Sequence, residues 1–248
     1  MSGHSKWHSI KHKKAATDAA KGKVFTRHAK IIAIAARGGG DPEMNPTLRL
    51  AIDNAKKDNM PNNNIERAIK KGTGEDKDAA EIMEITYEGY GPNGVAIIVK
   101  TLTDNKNRTV ANIKHTFSKN GGNLGENGSV AWMFALKGVI EIDCKEDEKE
   151  EVELLAIDAG AEDIVSEDDF FQVYTAPEDL HKVKKNIEEK GIKVGNAQIS
   201  YLAKNTVIIS DESQAKKVLK LVSSLEEDED VDSVAANFDI PEEILDKI

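Results

Sequence analysis

The sequence predicts an α+β protein of three domains: an N-terminal basic arm with a small helical domain, then two ferredoxin-like α+β domains, one inserted into the other. Three observations carry this. Up to Gly72, apolar residues recur with a helical period and lysines or arginines fill the outer positions. From Ile82 onward, strand-like runs alternate with amphipathic helical segments. Residues 136–203 read βαββαβ, the split ferredoxin-like unit, between a ββαβ before and a βαβ after. The predicted domains are therefore 1–75, a discontinuous 76–135 with 204–248, and the inserted 136–203.

Residues 2–14 are polar and predict an extended arm that orders on binding. Helical signals begin near Asp18, with Phe25, Ala29, Ile32, Ala33 and Ala36 on one face, and Gly38-Gly39-Gly40 ends them. Asn45-Pro46 opens a second helix, asparagine at the cap and proline in the first turn; Leu48, Ala51, Ile52 and Ala55 point inward. Met60-Pro61 breaks it. Asn62–Asn64 offer a cap for a third helix with Ile65, Ala68 and Ile69 inside, and Gly72 is read as its stop.

Strands are predicted at 82–88 and 95–102, then a helix from about Asn105 with Val110, Ile113 and Phe117 buried, then a strand at 129–135. The glycine-dense run 121–129 reads as a flexible hairpin connection that could bring backbone close to RNA. In the inserted unit, strands at 139–142, 163–166, 170–175 and 196–202 enclose helices at 147–159 and 178–190. The tail adds a strand at 207–210, a helix at 212–225 and a strand at 231–238, completing the earlier sheet with one strand extra.

Charge is unevenly spread. Residues 1–75 hold 15 basic and 7 acidic residues, net +8; residues 76–248 hold 19 and 37, net −18. A basic head on an acidic body argues for a polyanionic partner met by the head. The arm and first helix supply Lys6, Lys11, Lys13, Lys14, Lys21, Lys23, Arg27, Lys30 and Arg37, interleaved with Trp7, His4, His8, His12 and His28. Lysines attract phosphate, and an indole or imidazole stacks on an unpaired base. The outer faces of the next two helices add Arg49, Lys56, Lys57, Arg67, Lys70 and Lys71. Arg108 lies in the first turn of the following helix, against the helix dipole, which favours an anionic partner there. The candidate nucleic-acid contacts are these basic residues, Arg37 apart, together with Trp7, His8 and His12.

Other chemistries fit poorly. Lysines surround the four-residue repeat of His4, His8 and His12, which disfavours a metal cation. The 14 carboxylates of 141–169 fall mostly on the outside of an amphipathic helix or in turns, a solvated face rather than an acid–base pair. No nucleophile-elbow motif occurs. One cysteine, Cys144, excludes an internal disulfide and suits a reducing cytoplasm. No apolar run approaches the roughly 20 residues that span a bilayer. Aromatic residues make up only 5% of the chain, so an exposed Trp or Tyr is a stronger functional hint than usual. The expectation is a non-enzymatic, cytoplasmic protein with no cofactor, no metal, no membrane partner and no small-molecule substrate.

Several motifs resemble the YebC/PmpR family: Gly3-His4-Ser5-Lys6-Trp7, Ile10-Lys11-His12-Lys13-Lys14, Asn59-Met60-Pro61, Ile65-Glu66-Arg67-Ala68-Ile69-Lys70-Lys71-Gly72, Tyr87-Glu88-Gly89-Tyr90-Gly91-Pro92, Thr103-Asp104-Asn105 with Asn107-Arg108-Thr109, and Gly128-Ser129-Val130 with Trp132 and Phe134. Together they cover essentially the whole chain. The resemblance implies three domains around a cleft and bacterial cytoplasmic proteins described as DNA-binding transcriptional regulators. It also implies an alternative: a mitochondrial relative is a translational activator, and bacterial members are linked to ribosomes slowed at proline-rich stretches. The expected partners are thus DNA, ribosomal RNA, or the ribosome itself. Duplex DNA needs a positive surface tracking two phosphate rows; RNA suits a Lys/His/Trp arm with an acidic body held away.

Overall fold

The computed structural model describes residues 18–76, 80–142, 144, 148–167 and 170–248. Its elements begin with α1 (Asp18–Ala35), α2 (Pro46–Lys57) and α3 (Asn62–Thr73). Next come β1 (Met83–Tyr90), β2 (Ala96–Thr103), α4 (Lys106–Lys119) and β3 (Asn123–Leu124). Then follow β4 (Phe134–Ile142), α5 (Lys149–Ala159), β5 (Asp163–Glu167), β6 (Phe170–Thr175), α6 (Leu180–Glu189) and β7 (Val194–Ala203). The tail forms β8 (Val207–Ile208), α7 (Glu212–Glu226), β9 (Val231–Ala236), β10 (Phe238–Asp239) and α8 (Glu242–Leu245).

The three N-terminal helices share one aliphatic core of Ile32, Leu48, Ala51, Ala55, Ile65 and Ala68 with their neighbours. Asn45 joins two of them. Its side-chain oxygen accepts from the Leu48 amide at 3.0 Å, and its amide nitrogen donates to Ala35 O at 2.8 Å and Gly39 O at 2.9 Å. One buried side chain therefore caps the start of α2 and satisfies carbonyls at the end of α1. Two expectations fail here. Asn62–Asn64 do not cap α3; they form its first turn, and Pro61 holds the cap position without a side-chain hydrogen bond. Gly72 does not stop α3, which runs to Thr73 and ends at left-handed Gly74 (φ 77°). Gly72 instead lets two backbones touch: a Cβ there would lie 2.2 Å from Ala33 O and 2.7 Å from the Ala36 Cβ of the preceding turn.

The middle sheet has the order β3-β1-β2-β9, entirely antiparallel, with β9 brought back from the tail to pair with β2. Helices α4 and α7 cover one face through Ile113, Phe117, Leu219, Leu221, Val222 and Leu225 against Val95, Ile97, Val99 and Val234. The third sheet, β5-β6-β4-β7, is also antiparallel, and α5 and α6 cover it through Val152, Ala156, Leu180, Val183 and Ile187. Its βαββαβ order places β4 and β6 at the centre, as the split unit requires. The fold class is the predicted one: α+β, a helical domain followed by two sheet domains. A smaller cluster of Ala96, Ile98, Val130, Phe134 and Ala235 joins the back of the middle sheet to the open ends of β4 and β7.

Three strand expectations are corrected. Residues 129–135 are not one strand: Ala131–Met133 form a 3-10 turn, and Phe134 begins β4, which runs unbroken to Ile142. The Glu88 carboxylate holds the Val130 and Ala131 amides at 2.8 Å each, so they have no strand partner. The glycine-dense run is more than a connection, because Asn123 and Leu124 pair with Tyr90 and Gly89 as an edge strand. Gly89 permits this, since a Cβ there would sit 2.7 Å from Asn123 O. Finally, β8 does not join the middle sheet; it pairs in parallel with β10, after the tail strand breaks at Asn237. Asn237 turns its side-chain oxygen onto the Ala96 amide at 2.7 Å.

Candidate nucleic-acid interface

The basic residues expected to meet a polyanion divide into three groups. Lys6, Trp7, His8, Lys11, His12, Lys13 and Lys14 lie outside the described residues. A second group faces inward, toward the body of the same chain. The Arg27 Nε donates to Asp232 at 2.8 Å, and the Lys30 Nζ donates to Asp230 at 2.9 Å and to Glu229 O at 2.8 Å. Lys23 donates to the Glu226 carbonyl. Lys21, on the same helix, is exposed. Arg37 donates to Ile82 O at 2.5 Å and pairs with Glu81 at 3.3 Å.

Asp230 is the centre of this group. It is only 5% exposed, just before β9. Arg108 reaches it from α4, with NH2 at 2.7 Å and Nε at 3.3 Å, and also holds Asp104 at 3.0 Å. The Thr103 and Thr109 hydroxyls lie 3.2 and 2.9 Å away. Burial pushes the Asp230 carboxyl up, but hydrogen bonds from Arg108, Lys30 and Thr109 and the Lys30 charge outweigh it and bring the pKa from 3.8 down to about 2. The same contacts raise Arg108 above its ordinary value, its hydrogen bond to Asp230 first. The anion favoured at Arg108 by its place in the helix thus has a counterpart within the chain. Asn105 caps α4, accepting from the Arg108 amide at 3.1 Å, so the whole Thr103–Thr109 motif is built around one carboxylate.

The third group remains on the surface of α2 and α3. Lys56 and Lys57 are exposed in the last turn of α2; Arg67 is exposed in the middle of α3, and Lys70 is exposed and Lys71 half-buried in its last turn. Lys56, Arg67, Lys70 and Lys71 make no ion pair among the described residues. Arg49, also exposed, folds back onto Pro42 O and Glu43 at 3.0 Å each. Cations in a last turn suit the helix dipole, which accounts for part of this placement. The inner side of α2 docks on the third unit: Leu50 packs against its core, Asn54 donates to Ala197 O at 2.8 Å, and Asp53 lies 3.4 Å from Lys184. His28, grouped in the sequence with the arm histidines, is buried, with its Nε2 2.5 Å from Asp58.

The glycine loop is likewise engaged internally. Glu88 accepts from the amides of Gly128 (2.7 Å), Val130 and Ala131 (2.8 Å each), a concave set of backbone donors of the sort that binds anions. Burial pushes this carboxyl up, and the three amides more than offset it, leaving its pKa lowered. Two residues escaped the sequence reading. Asp230 carried no local signal, because its partners lie about 120 and 200 residues away. Trp132 lies in the run read as a strand, a reading that leaves its exposure open, and it is 64% exposed. The scarcity of aromatic residues was the signal that could have flagged it.

A basic helical head held by ion pairs to two α+β sheets defines the class: a three-part α+β protein whose N-terminal helices keep cations on their outer side. No group of three or more His, Cys, Asp or Glu is placed to hold a metal among the described residues, and no helix there is long and apolar enough to cross a membrane. Residues 5–75 match the family described as the TACO1/YebC protein N-terminal domain, and residues 82–238 match the TACO1/YebC second and third domain. The chain belongs to the TACO1/YebC family, as its motifs indicated. A Halothermothrix orenii protein named probable transcriptional regulatory protein is 54% identical over 251 residues, covering 100% of this chain and 99% of its own. An Aquifex aeolicus protein of the same name is 51% identical over 249 residues, covering 100% of both. The crystal structure of a conserved hypothetical protein from Aquifex aeolicus superposes with a TM-score of 0.88 at 49% identity, covering 95% of this chain and 97% of that one.

Proposed function

We propose that this chain is a non-enzymatic, cytoplasmic, nucleic-acid-binding regulator of gene expression, whose primary partner is DNA. Relatives carry the name probable transcriptional regulatory protein. The observation that supports the reading best is the set of outward cations Lys56, Arg67, Lys70 and Lys71 on α2 and α3, which make no ion pair among the described residues although the chain is acidic overall. The arm would extend this surface with Lys6, Lys11, Lys13 and Lys14, and Trp7, His8 and His12 would supply stacking. The domain division is proposed as 1–75 for the nucleic-acid head, 76–135 with 204–248 for the sheet that holds it, and 136–203 for the inserted unit.

The test is binding of duplex DNA, read by fluorescence anisotropy at several salt concentrations. Replacing Arg67, Lys70 and Lys71 together by alanine is expected to weaken binding and reduce the steepness of its salt dependence by roughly 2 to 3. Unchanged affinity and slope would sink the assignment of this surface. Ultraviolet crosslinking in cells then separates targets. Promoter DNA supports the transcriptional reading; crosslinks gathered at one ribosomal RNA site, and lost on deleting residues 2–14, would replace it with a translation factor.

A further inference from the structure

The paired strands β4 and β7 and their flanks differ in charge from the rest of the body. Residues 127–140 and 190–210 contain no Asp or Glu and four lysines (Lys137, Lys190, Lys193, Lys204), within a segment, 76–248, of net charge −18. The two stretches pair in register from Phe134↔Ala203 to Ile140↔Ala197. They therefore form one band that contributes no carboxylate of its own to an acidic molecule. Lys137 is paired with Glu162 at 2.5 Å and Lys190 with Asp158 at 3.6 Å, whereas Lys204, at the junction end, makes no ion pair among the described residues and can meet a polyanion.

Some apolar surface also stays open on the band, as it does at Leu154 and Ile157 of α5. On the face of β4 and β7 that α5 and α6 cover further along, Leu136 is 44% and Ile199 48% exposed. They lie between two buried clusters: the third unit's core, reached by Leu50 of α2 near Ala197, and the junction around Phe134. At the junction end stands Trp132. Its neighbours Ala131 and Met133 are packed into the junction, and its Nε1 donates to Ser129 O at 3.2 Å. One edge of the indole is thus fixed while the side chain stays exposed. Lys204 lies beside it, its Nζ donating to Trp132 O at 3.0 Å. An aromatic ring anchored on the Ser129 carbonyl, exposed to solvent and next to Lys204, has the chemistry that recognises a base and its phosphate.

We propose that Trp132 is a stacking platform for an unpaired nucleobase, with Lys204 contacting the adjoining phosphate. Leu136 and Ile199 carry the strand onward along β7 toward α2. This second contact rests on the proposed nucleic-acid reading, but not on which helices meet a duplex. From Ala203 to Ala197 the band runs about 20 Å, enough for three or four extended nucleotides before Lys56 and Lys57 come into play. RNA and single-stranded DNA share this chemistry.

The experiment uses the full chain carrying Trp7→Phe, so that Trp132 is its only tryptophan, with fluorescein-labelled twelve-residue oligouridylate and oligothymidylate as probes. Titration with unlabelled oligonucleotide is expected to quench Trp132 fluorescence. A 5-bromouracil probe should crosslink at Trp132. Adding Trp132→Ala should weaken binding about tenfold, and Trp132→Phe by much less. The tighter of the two oligomers identifies the sugar. Oligonucleotide binding that leaves Trp132 fluorescence unchanged and Trp132→Ala without effect would overturn the platform; duplex binding sensitive to Arg67, Lys70 and Lys71 would still stand. No binding of either oligomer overturns it too. Quenching that grows with protein concentration alone, with dimers on sedimentation, would assign the band to a second copy of the chain.

Discussion

Two basic surfaces of the helical head look alike in sequence and have opposite fates. The stripe on α1 turns inward: Arg27 and Lys30 neutralise Asp232 and Asp230 of the middle unit. The surface on α2 and α3 turns outward, and four of its cations pair with nothing among the described residues. Spacing and residue type are the same; what lies opposite differs. A charge census reads both as a docking surface for a polyanion, and for α1 the nearest polyanion is the chain's own tail.

The comparison breaks most visibly at Asp230. Asp230→Ala leaves Arg108 and Lys30 without their buried partner, and is expected to cost about 3 kcal/mol in urea unfolding. Gly72→Ala should come next, at about 2 kcal/mol, by forcing α3 away from Ala33 O. Glu88→Gln sets an NH2 donor against backbone donors and should cost about 1 to 2 kcal/mol, read by thermal unfolding. Asp230 also gives a signature in pH. Its folded pKa lies below the unfolded value, so its contribution is complete above about 4 and fades as pH falls toward about 2. Asp230→Asn should flatten that part of the stability profile, whereas Lys56→Ala should leave it unchanged. At the small end, alanine at Lys56, Arg67 or Lys70 should alter stability by less than about 0.5 kcal/mol while weakening nucleic-acid binding. If those changes unfolded the protein, the two surfaces would not differ in the way described.

Much of the architecture was legible because its signals are local. Asn45-Pro46 and Asn105 mark the starts of α2 and α4, and the apolar periods of α4, α6 and α7 read directly. The βαββαβ order of the inserted unit follows from the alternation of those periods. Ambiguity began where one residue type serves two purposes. Gly72 reads as a stop, yet it serves close contact within a helix, and no local pattern separates the two. The run 129–135 is apolar enough for a strand; what prevents pairing is Glu88, some 40 residues earlier. The cationic half of the candidate site was visible in full. Its division between internal and external partners was not, because Asp230 and Arg108 meet only in three dimensions. The exposure of Trp132 was not legible for the related reason that an apolar run does not reveal which member faces out.

The pairing of β2 with β9 has a consequence in time. Thr103 leaves the ribosome 128 residues ahead of Val231, so at roughly 5–20 residues per second the middle sheet waits on the order of 10 s for its last strand. The inserted unit, closed by β7, has its whole sheet available earlier. Asp230 arrives together with β9, so α1 has no clasp until nearly all of the chain is made. A nascent copy would then have its head seated only by the apolar contacts of α1 with Ile82 and Leu102 and of α2 with the third unit, and the last-made segment would add the carboxylates that neutralise the α1 cations.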